Sequence, residues 1–326
     1  MKKTLIAIAA FGALAGAAQA QSQVTLYGRV DLGLTRNIGN DFFELQQNSG
    51  SRLGVRGVED LGGGLKAVFN IEHRFTADNG QAADTFWAGR SVVGLQGRFG
   101  EVVLGREYVP ARNIANKADP WGADTVAAFE SILRGGVYVA GQDDKGNDIE
   151  ADLLPVRQNN SITYTSPVFS GLQAQAQVAL DEVAGNDTKA FYSVNLTYTA
   201  GPVWVGYGYS KAGKDDRTWH LLSGSYDFGV AKVIAAYGQG KPEGALAADK
   251  HRSYLIGATA PLAGGELRVA YGKLEAVDPD EDLSSKFGIG YHYPLSKRTT
   301  VYVDVARDGE VNEHKTGVDF GLKHNF

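Results

Sequence analysis

The 326-residue chain has no cysteine, one methionine and nine prolines. Without cysteine there is no disulfide framework, no thiolate metal site and no cysteine nucleophile. Long apolar runs are missing as well. Beyond residue 20 no stretch approaches the roughly 18 apolar residues that a spanning helix needs, so helices cannot carry this chain across a membrane. Positive charge is not in excess either. The formal net charge is −5, and removing Lys2 and Lys3 with the leader described below makes it −7. A chain this acidic lacks the basic stripe of a nucleic-acid-binding protein. Local chemical motifs are scarce. "LGGGL" at 61–65 has no Lys-Ser/Thr continuation, and "DDKGNDIEAD" at 143–152 does not have EF-hand spacing. His73, His220, His251, His292, His314 and His324 are scattered without motif context. An enzyme would need a nucleophile, a base and an orienter within reach of one another. The sequence therefore predicts no catalytic residues, no metal and no cofactor.

The chain is rich in glycine (42), tyrosine (15) and phenylalanine (14). It opens with "MKKTLIAIAAFGALAGAAQA", in which two lysines precede an apolar run and an Ala18-Gln19-Ala20 ending. This is the pattern of a secretory signal peptide cleaved after Ala20. The expected organisation is a leader at 1–20 and one domain at 21–326, because no linker or composition shift divides the remainder.

"QVTLYGRVDLGLTR" at 23–36 keeps Val24, Leu26, Val30, Leu32 and Leu34 on even numbers. Thr25, Tyr27, Arg29, Asp31 and Thr35 are odd, the period of a strand with one apolar and one wet face. The pattern recurs. Leu65, Ala67, Phe69 and Ile71 oppose Lys66, Asn70, Glu72 and Arg74. Leu172, Ala174, Ala176, Val178 and Leu180 oppose three glutamines. Tyr192, Val194, Leu196 and Tyr198 share a face, as do Val318, Phe320, Leu322 and Phe326. Seven short turns such as "EDLGGGL" and "PLSKRT" take turns with eight longer loops, at about 37–50, 77–84, 108–156, 182–188, 211–216, 241–250, 275–284 and 307–314. Sixteen strands result.

Soluble sandwiches alternate too, but their strands are usually shorter, with turns every 8–12 residues. Ten residues tilted by about 45° cross a bilayer. The polar face carries Arg29, Asp31, Arg52, Arg56, Lys66, Glu72, Arg74 and Asp304. An arginine facing lipid near the midplane would cost roughly 2–4 kcal/mol, so these side chains must face inward. Tyrosines near the strand ends suit interfacial girdles. The expected fold class is all-β: a sixteen-stranded antiparallel transmembrane β-barrel, wide enough to hold water. The 108–156 connection is far longer than the others, and such loops are usually functional. "DPWGADTVAAFESILRGG" sets Val126, Phe129, Ile132 and Leu133 on one side of a short helical pattern. Such a loop can fold into the barrel and narrow it; an external cap is the alternative.

"VTLYGRVDLGL", "SGSRLGVRGVEDLGGGLKAVFNIE", "VGLQGRFGEVVLGREYVP", "NNSITYTSPVFSGLQAQ", "YPLSKRTTVYVDVA" and "GLKHNF" resemble the general porins of β-proteobacterial and neisserial outer membranes, over the whole chain after the leader. The resemblance implies a water-filled channel for small hydrophilic solutes and ions in a Gram-negative outer membrane. It also implies a homotrimer of barrels with the long third loop inside the lumen. Partners would be outer-membrane lipids, lipopolysaccharide, and the barrel-assembly machinery reading Phe326. Carried over by position, Arg52 and Arg157 match arginines of the constriction, Glu72 the wall acid, Asp119 the loop acid and Arg134 a loop arginine. The family commonly has arginine where this chain has Gly89. Arg90 follows, one residue out of phase, which would turn it to the other face of a strand; Arg74, in phase with Glu72, would compensate. A ring of arginines favours anions. Acidic loop tips lie beyond a Debye length of about 8 Å at physiological salt, so the narrowing should decide, giving a preference for small anions. The alternatives are a cation-preferring general porin, a substrate-specific channel, and a plugged barrel serving as adhesin or anchor. Tyr27, Trp204 and Tyr302 are the aromatics expected inward, too few for a sugar-guiding ladder.

Overall fold

The structure, a computed structural model, describes residues 22–142, 148–180, 182, 190–212, 217–242, 250–278 and 280–326. The leader at 1–20 and the stretch 143–147 of the acidic run lie outside the described residues. The first strands are β1 (Gln23–Arg36), β2 (Glu44–Gln46), β3 (Arg52–Gly62), β4 (Leu65–Arg74), β5 (Ser91–Gly97) and β6 (Gly100–Tyr108). A hairpin of β7 (Val137–Gln142) and β8 (Asp148–Asp152) stands apart from the main sheet. Then follow β9 (Arg157–Thr165), β10 (Leu172–Ala179), β11 (Phe191–Ala200), β12 (Val203–Lys211), β13 (Thr218–Asp227), β14 (Lys232–Lys241) and β15 (His251–Leu262). The chain ends with β16 (Gly265–Val277), β17 (Asp280–Pro294), β18 (Thr299–Asp308) and β19 (Thr316–Asn325).

Each long strand pairs antiparallel with the next, and β1 closes the cylinder on β19, with Leu32 opposite Leu322 and Leu34 opposite Phe320. β1 pairs with β3 along its first half and with the short β2 along its second. Apart from β2, sixteen strands form the wall, the expected fold. The seam is tied at the chain end, where the backbone groups of Phe326 and Gly28 exchange hydrogen bonds of 3.0 and 3.1 Å. A closed ladder leaves no unpaired edge, a condition for a sheet in hydrocarbon.

The alternation sorts as the sequence demanded. Val24 and Leu26 are 66% and 62% exposed on the outside, whereas Asp31 and Thr35 are fully buried on the inside. Tight turns join one end of the cylinder; in 61–65, Gly62, Gly63 and Gly64 all have positive φ, which only glycine adopts without strain. The 275–284 loop differs from expectation. β16 and β17 continue to Val277 and from Asp280, because Lys273 bridges Glu275 and Asp282 at 3.4 and 2.7 Å and prolongs the ladder. The 77–84 loop is longer than expected, running from Phe75 to Arg90.

Inside the cylinder lies a hydrophobic core that strand periodicity does not announce. After β6 the chain leaves the wall, and residues 109–136 and 153–154 pack against the inner faces of the later strands. Of this segment, Val109, Ile114, Trp121, Phe129, Leu133 and Leu154 are buried with Trp204, Trp219, Leu221, Leu255 and Leu274 of the wall. The longer helix of this segment is Pro110–Ala118; only Glu130–Leu133 of the anticipated helical stretch is helical. Pro110 begins the first, where its missing N–H costs nothing. Its buried residues, Ala111, Ile114, Ala115 and Ala118, follow helical spacing. The segment is also stitched to the wall by polar contacts. Asn195 donates to the Pro110 carbonyl (2.7 Å), Trp219 Nε1 to the Leu133 carbonyl (2.9 Å) and Lys286 Nζ to the Ala128 carbonyl (2.7 Å). Trp121 Nε1 donates to Asp304 (2.6 Å) and the Val126 N–H to Asp319 (2.8 Å).

Close approach of loop to wall requires glycine at particular places. A Cβ on Gly272 would meet the Phe129 ring at 2.7 Å, and one on Gly208 would meet Ala111 at 2.8 Å. A Gly272→Leu variant should therefore push Phe129 from its seat, at about 1–3 kcal/mol. The expected outcome is faster protease cleavage within 109–136 of the folded barrel; cleavage at the wild-type rate would remove the packing role given to Gly272.

Candidate functional site

Four wall strands carry arginines inward to one cavity. Arg29 comes from β1, Arg52 from β3, Arg74 from β4 and Arg157 from the start of β9. The helix Pro110–Ala118 adds Arg112. These five line one cavity of about 440 Å³, together with Tyr108, Asn113, Asn116, Asp124 and Glu130. Five guanidiniums thus face two carboxylates at the cavity wall. Guanidinium keeps its proton at any working pH, so the excess of positive charge there is permanent.

The pairing is uneven. Glu72, buried behind the cavity, holds Arg74 at 2.7 Å and Arg52 at 4.0 Å. Asp124 is shared by Arg29 at 3.2 Å and Lys323 at 3.0 Å. Arg112 pairs with Glu130. Among the described residues, Arg157 has no carboxylate within 4.0 Å; its Nη2 donates instead to the Tyr108 hydroxyl at 2.6 Å, and its guanidinium lies over the Tyr108 ring at 4.2 Å.

Four of the six residues proposed from sequence, Arg52, Arg74, Arg157 and Glu72, come together here. The other two do not. Asp119 is 4% exposed and does not line the cavity. Its carboxylate accepts from the backbone N–H groups of Trp121, Ala123 and Phe129 at 3.0, 3.0 and 2.9 Å. It folds the loop, and the acids that reach the cavity are Asp124 and Glu130. Arg134 is buried, donating to the Leu154 carbonyl at 2.7 Å and pairing with Asp152 at 2.6 Å. It closes the base of the loop and leaves the cavity to Arg112. Arg112 was missed because the helix that aims it, Pro110–Ala118, was not anticipated; Pro110 followed by apolar residues at helical spacing was the available signal. Arg29 faces inward as its odd-numbered place in 23–36 requires, and joins the cluster.

Arg90 corrects the face argument. It lies in the connection before β5, where the strand rule does not apply, and it turns inward to pair with Glu107. It lines a second lumen cavity of about 330 Å³ with Arg56, Asn70 and Glu101, nearer the short-turn end. A Cβ on Gly89 would already meet Glu72 at 2.4 Å, so an arginine at that position would need Glu72 to move. Tyr27, Trp204 and Tyr302 all face inward; Tyr302 and Trp204 are sealed under loop segments, at 2% and 5% exposure.

A closed sixteen-stranded wall, apolar outside and wet inside, with charge gathered in a lumen cavity, defines a transmembrane channel. The comparisons with known proteins agree. Residues 4–313 match the family model described as Gram-negative porin, and the chain belongs to that family. It is 34% identical, over the full length of both chains, to outer membrane porin protein 32 of Delftia acidovorans. It is 28% identical, again end to end, to the major outer membrane protein P.IB of Neisseria meningitidis. Among solved structures, the anion-selective porin from Comamonas acidovorans superposes with a TM-score of 0.80 at 32% identity, covering 94% of this chain and 100% of that one. The chain is an outer-membrane porin, forming a channel for passive diffusion across that membrane.

Burial pushes the Asp119 carboxyl up from 3.8 to about 6, against the three N–H groups that favour its charge. A raised acid pKa means that the folded state holds the proton between those two values. The stability this supplies is complete below about pH 3.8 and lost as pH rises through 6, by up to about 3 kcal/mol. The melting temperature of the wild type should thus fall relative to that of Asp119→Asn between pH 4 and pH 7. A difference independent of pH would refute the assignment.

Proposed function

We propose that this porin prefers small anions, and that Arg29, Arg52, Arg74, Arg112 and Arg157 set that preference, with Glu72, Asp124 and Glu130 holding the arginines apart. The carrying observation is the cavity of about 440 Å³, where five arginines face two carboxylates and Arg157 has no carboxylate partner among the described residues. Low-dielectric walls focus such a field, while acidic tips further off are screened. Asp119 and Arg134 act indirectly, by shaping the loop that carries Arg112. The porin from Comamonas acidovorans is anion-selective, which supports the same reading. Solutes pass without a chemical step.

The working form is a homotrimer of barrels spanning 21–326 after removal of the leader. Support comes from an asymmetry on the outer face. Exposed tyrosines stud β9 and β11–β17: Tyr164, Tyr192, Tyr207, Tyr237, Tyr254 and Tyr271. The exposed large residues of β1, β3 and β5 are aliphatic, including Leu26, Leu53 and Val93. Tyrosine marks the lipid–water interface; the bare aliphatic side suits contact with other copies. Lipopolysaccharide then meets the tyrosine-bearing side, and Phe326, closing the seam at Gly28, is presented to the assembly machinery.

Reversal potentials in a KCl gradient across a planar bilayer test the preference. The wild type should show the anion-selective sign, and Arg52→Gln with Arg157→Gln should move it towards cations. A cation-selective wild type, or an unmoved double variant, would overturn the reading.

A further inference from the structure

One residue touches three members of the arginine cluster, and it is not charged. Arg157 Nη2 and Arg74 Nη2 both donate to the Tyr108 hydroxyl, at 2.6 and 3.2 Å. The guanidiniums of Arg157 and Arg112 lie over its ring at 4.2 and 5.0 Å. The electron-rich ring face attracts both cations. A phenolic oxygen has two acceptor lone pairs and one hydrogen. Two cationic donors occupy the acceptor side and polarise the O–H bond. The remaining hydrogen finds no protein acceptor among the described residues, and the side chain lines the cavity.

We infer that the Tyr108 hydroxyl donates a hydrogen bond to the permeating anion, making Tyr108 a specificity-determining residue of the channel. The inference rests on the anion-preferring reading and adds direction to it. Guanidiniums attract any anion, whereas an O–H aimed into the cavity rewards oxyanions that accept hydrogen bonds strongly. Tyr27 is the internal contrast. Its hydroxyl hydrogen is committed to Asn70 Oδ1 at 2.9 Å, with Glu72 at 3.2 Å, leaving none for a solute. Tyr108 is fixed from both ends, because its carbonyl accepts from Gln177 Nε2 at 3.2 Å and its ring is held by two guanidiniums.

The test uses full-length wild type and Tyr108→Phe in planar bilayers, with inorganic phosphate titrated against the KCl current. Phenylalanine keeps the ring under Arg112 and Arg157 and removes only the hydroxyl. The concentration of phosphate that halves the current should rise about fivefold, the effect of one lost hydrogen bond of about 1 kcal/mol. Tyr108→Ala, which also removes the ring, should in addition shift the KCl reversal potential towards zero; should it fail to assemble, Tyr108→Phe decides alone. Equal phosphate dependence of wild type and Tyr108→Phe overturns the inference, as does a wild type that phosphate does not inhibit. A cation-selective reversal potential with a hydroxyl-dependent phosphate effect would instead overturn the wider reading and keep this one.

Discussion

The backbone hydrogen bond governs this molecule. Within hydrocarbon no water can satisfy an unpaired N–H or C=O, and each orphan costs several kcal/mol. A chain without long apolar runs has one way to meet that demand, a sheet with no edge. The Leu34–Phe320 register at the seam and the backbone exchange between Gly28 and Phe326 complete it. Once the ladder is closed, side-chain alternation becomes compulsory, because a slip of one residue would turn Arg29 and Asp31 into lipid.

Closure creates a second problem. A sixteen-stranded cylinder is too wide for its own side chains to fill. The chain fills part of it with 109–136, and that segment behaves like a small soluble protein placed inside the barrel. It has a helix, an apolar core shared with Trp204 and Trp219, and carboxylates that satisfy its backbone: Asp119 from within, Asp319 from the wall. Asp31 serves 48–49 in the same way, accepting from the N–H groups of Asn48 and Ser49 at 2.7 and 3.1 Å. Acids inside the cylinder therefore divide into two populations. Asp31, Asp119, Asp304, Asp308 and Asp319 hold loops; Glu72, Glu107, Asp124 and Glu130 hold arginines.

The arginines gain their effect from this division. A cluster of like charges is stable only where something holds each member. Carboxylates hold Arg29, Arg52, Arg74 and Arg112, and Tyr108 takes over for Arg157. A chain of net negative charge thus gathers an excess of arginines in one lumen cavity.

Strand positions, faces, closure and the inward placement of Arg52, Arg74 and Glu72 were legible in the sequence, because a strand's period of two ties number to face without reference to the rest of the molecule. Arg90 escaped that rule because it sits just before a strand, where number and face are uncoupled. Asp119 and Arg134 were placed at the narrowing by their positions in a motif, yet in a folded loop direction depends on which backbone groups a side chain reaches. Arg112 needed a helix, and Tyr108 needed three arginines from three separate elements. The sequence by itself determined the cylinder, for alternation and turn chemistry are local. Only the tertiary structure decided which charges share the cavity, because that depends on where a folded loop lies in the lumen, and loop–wall packing is set by contacts between residues far apart in the chain, 85 positions for Asn195 on Pro110 and 193 for Asp319 on Val126.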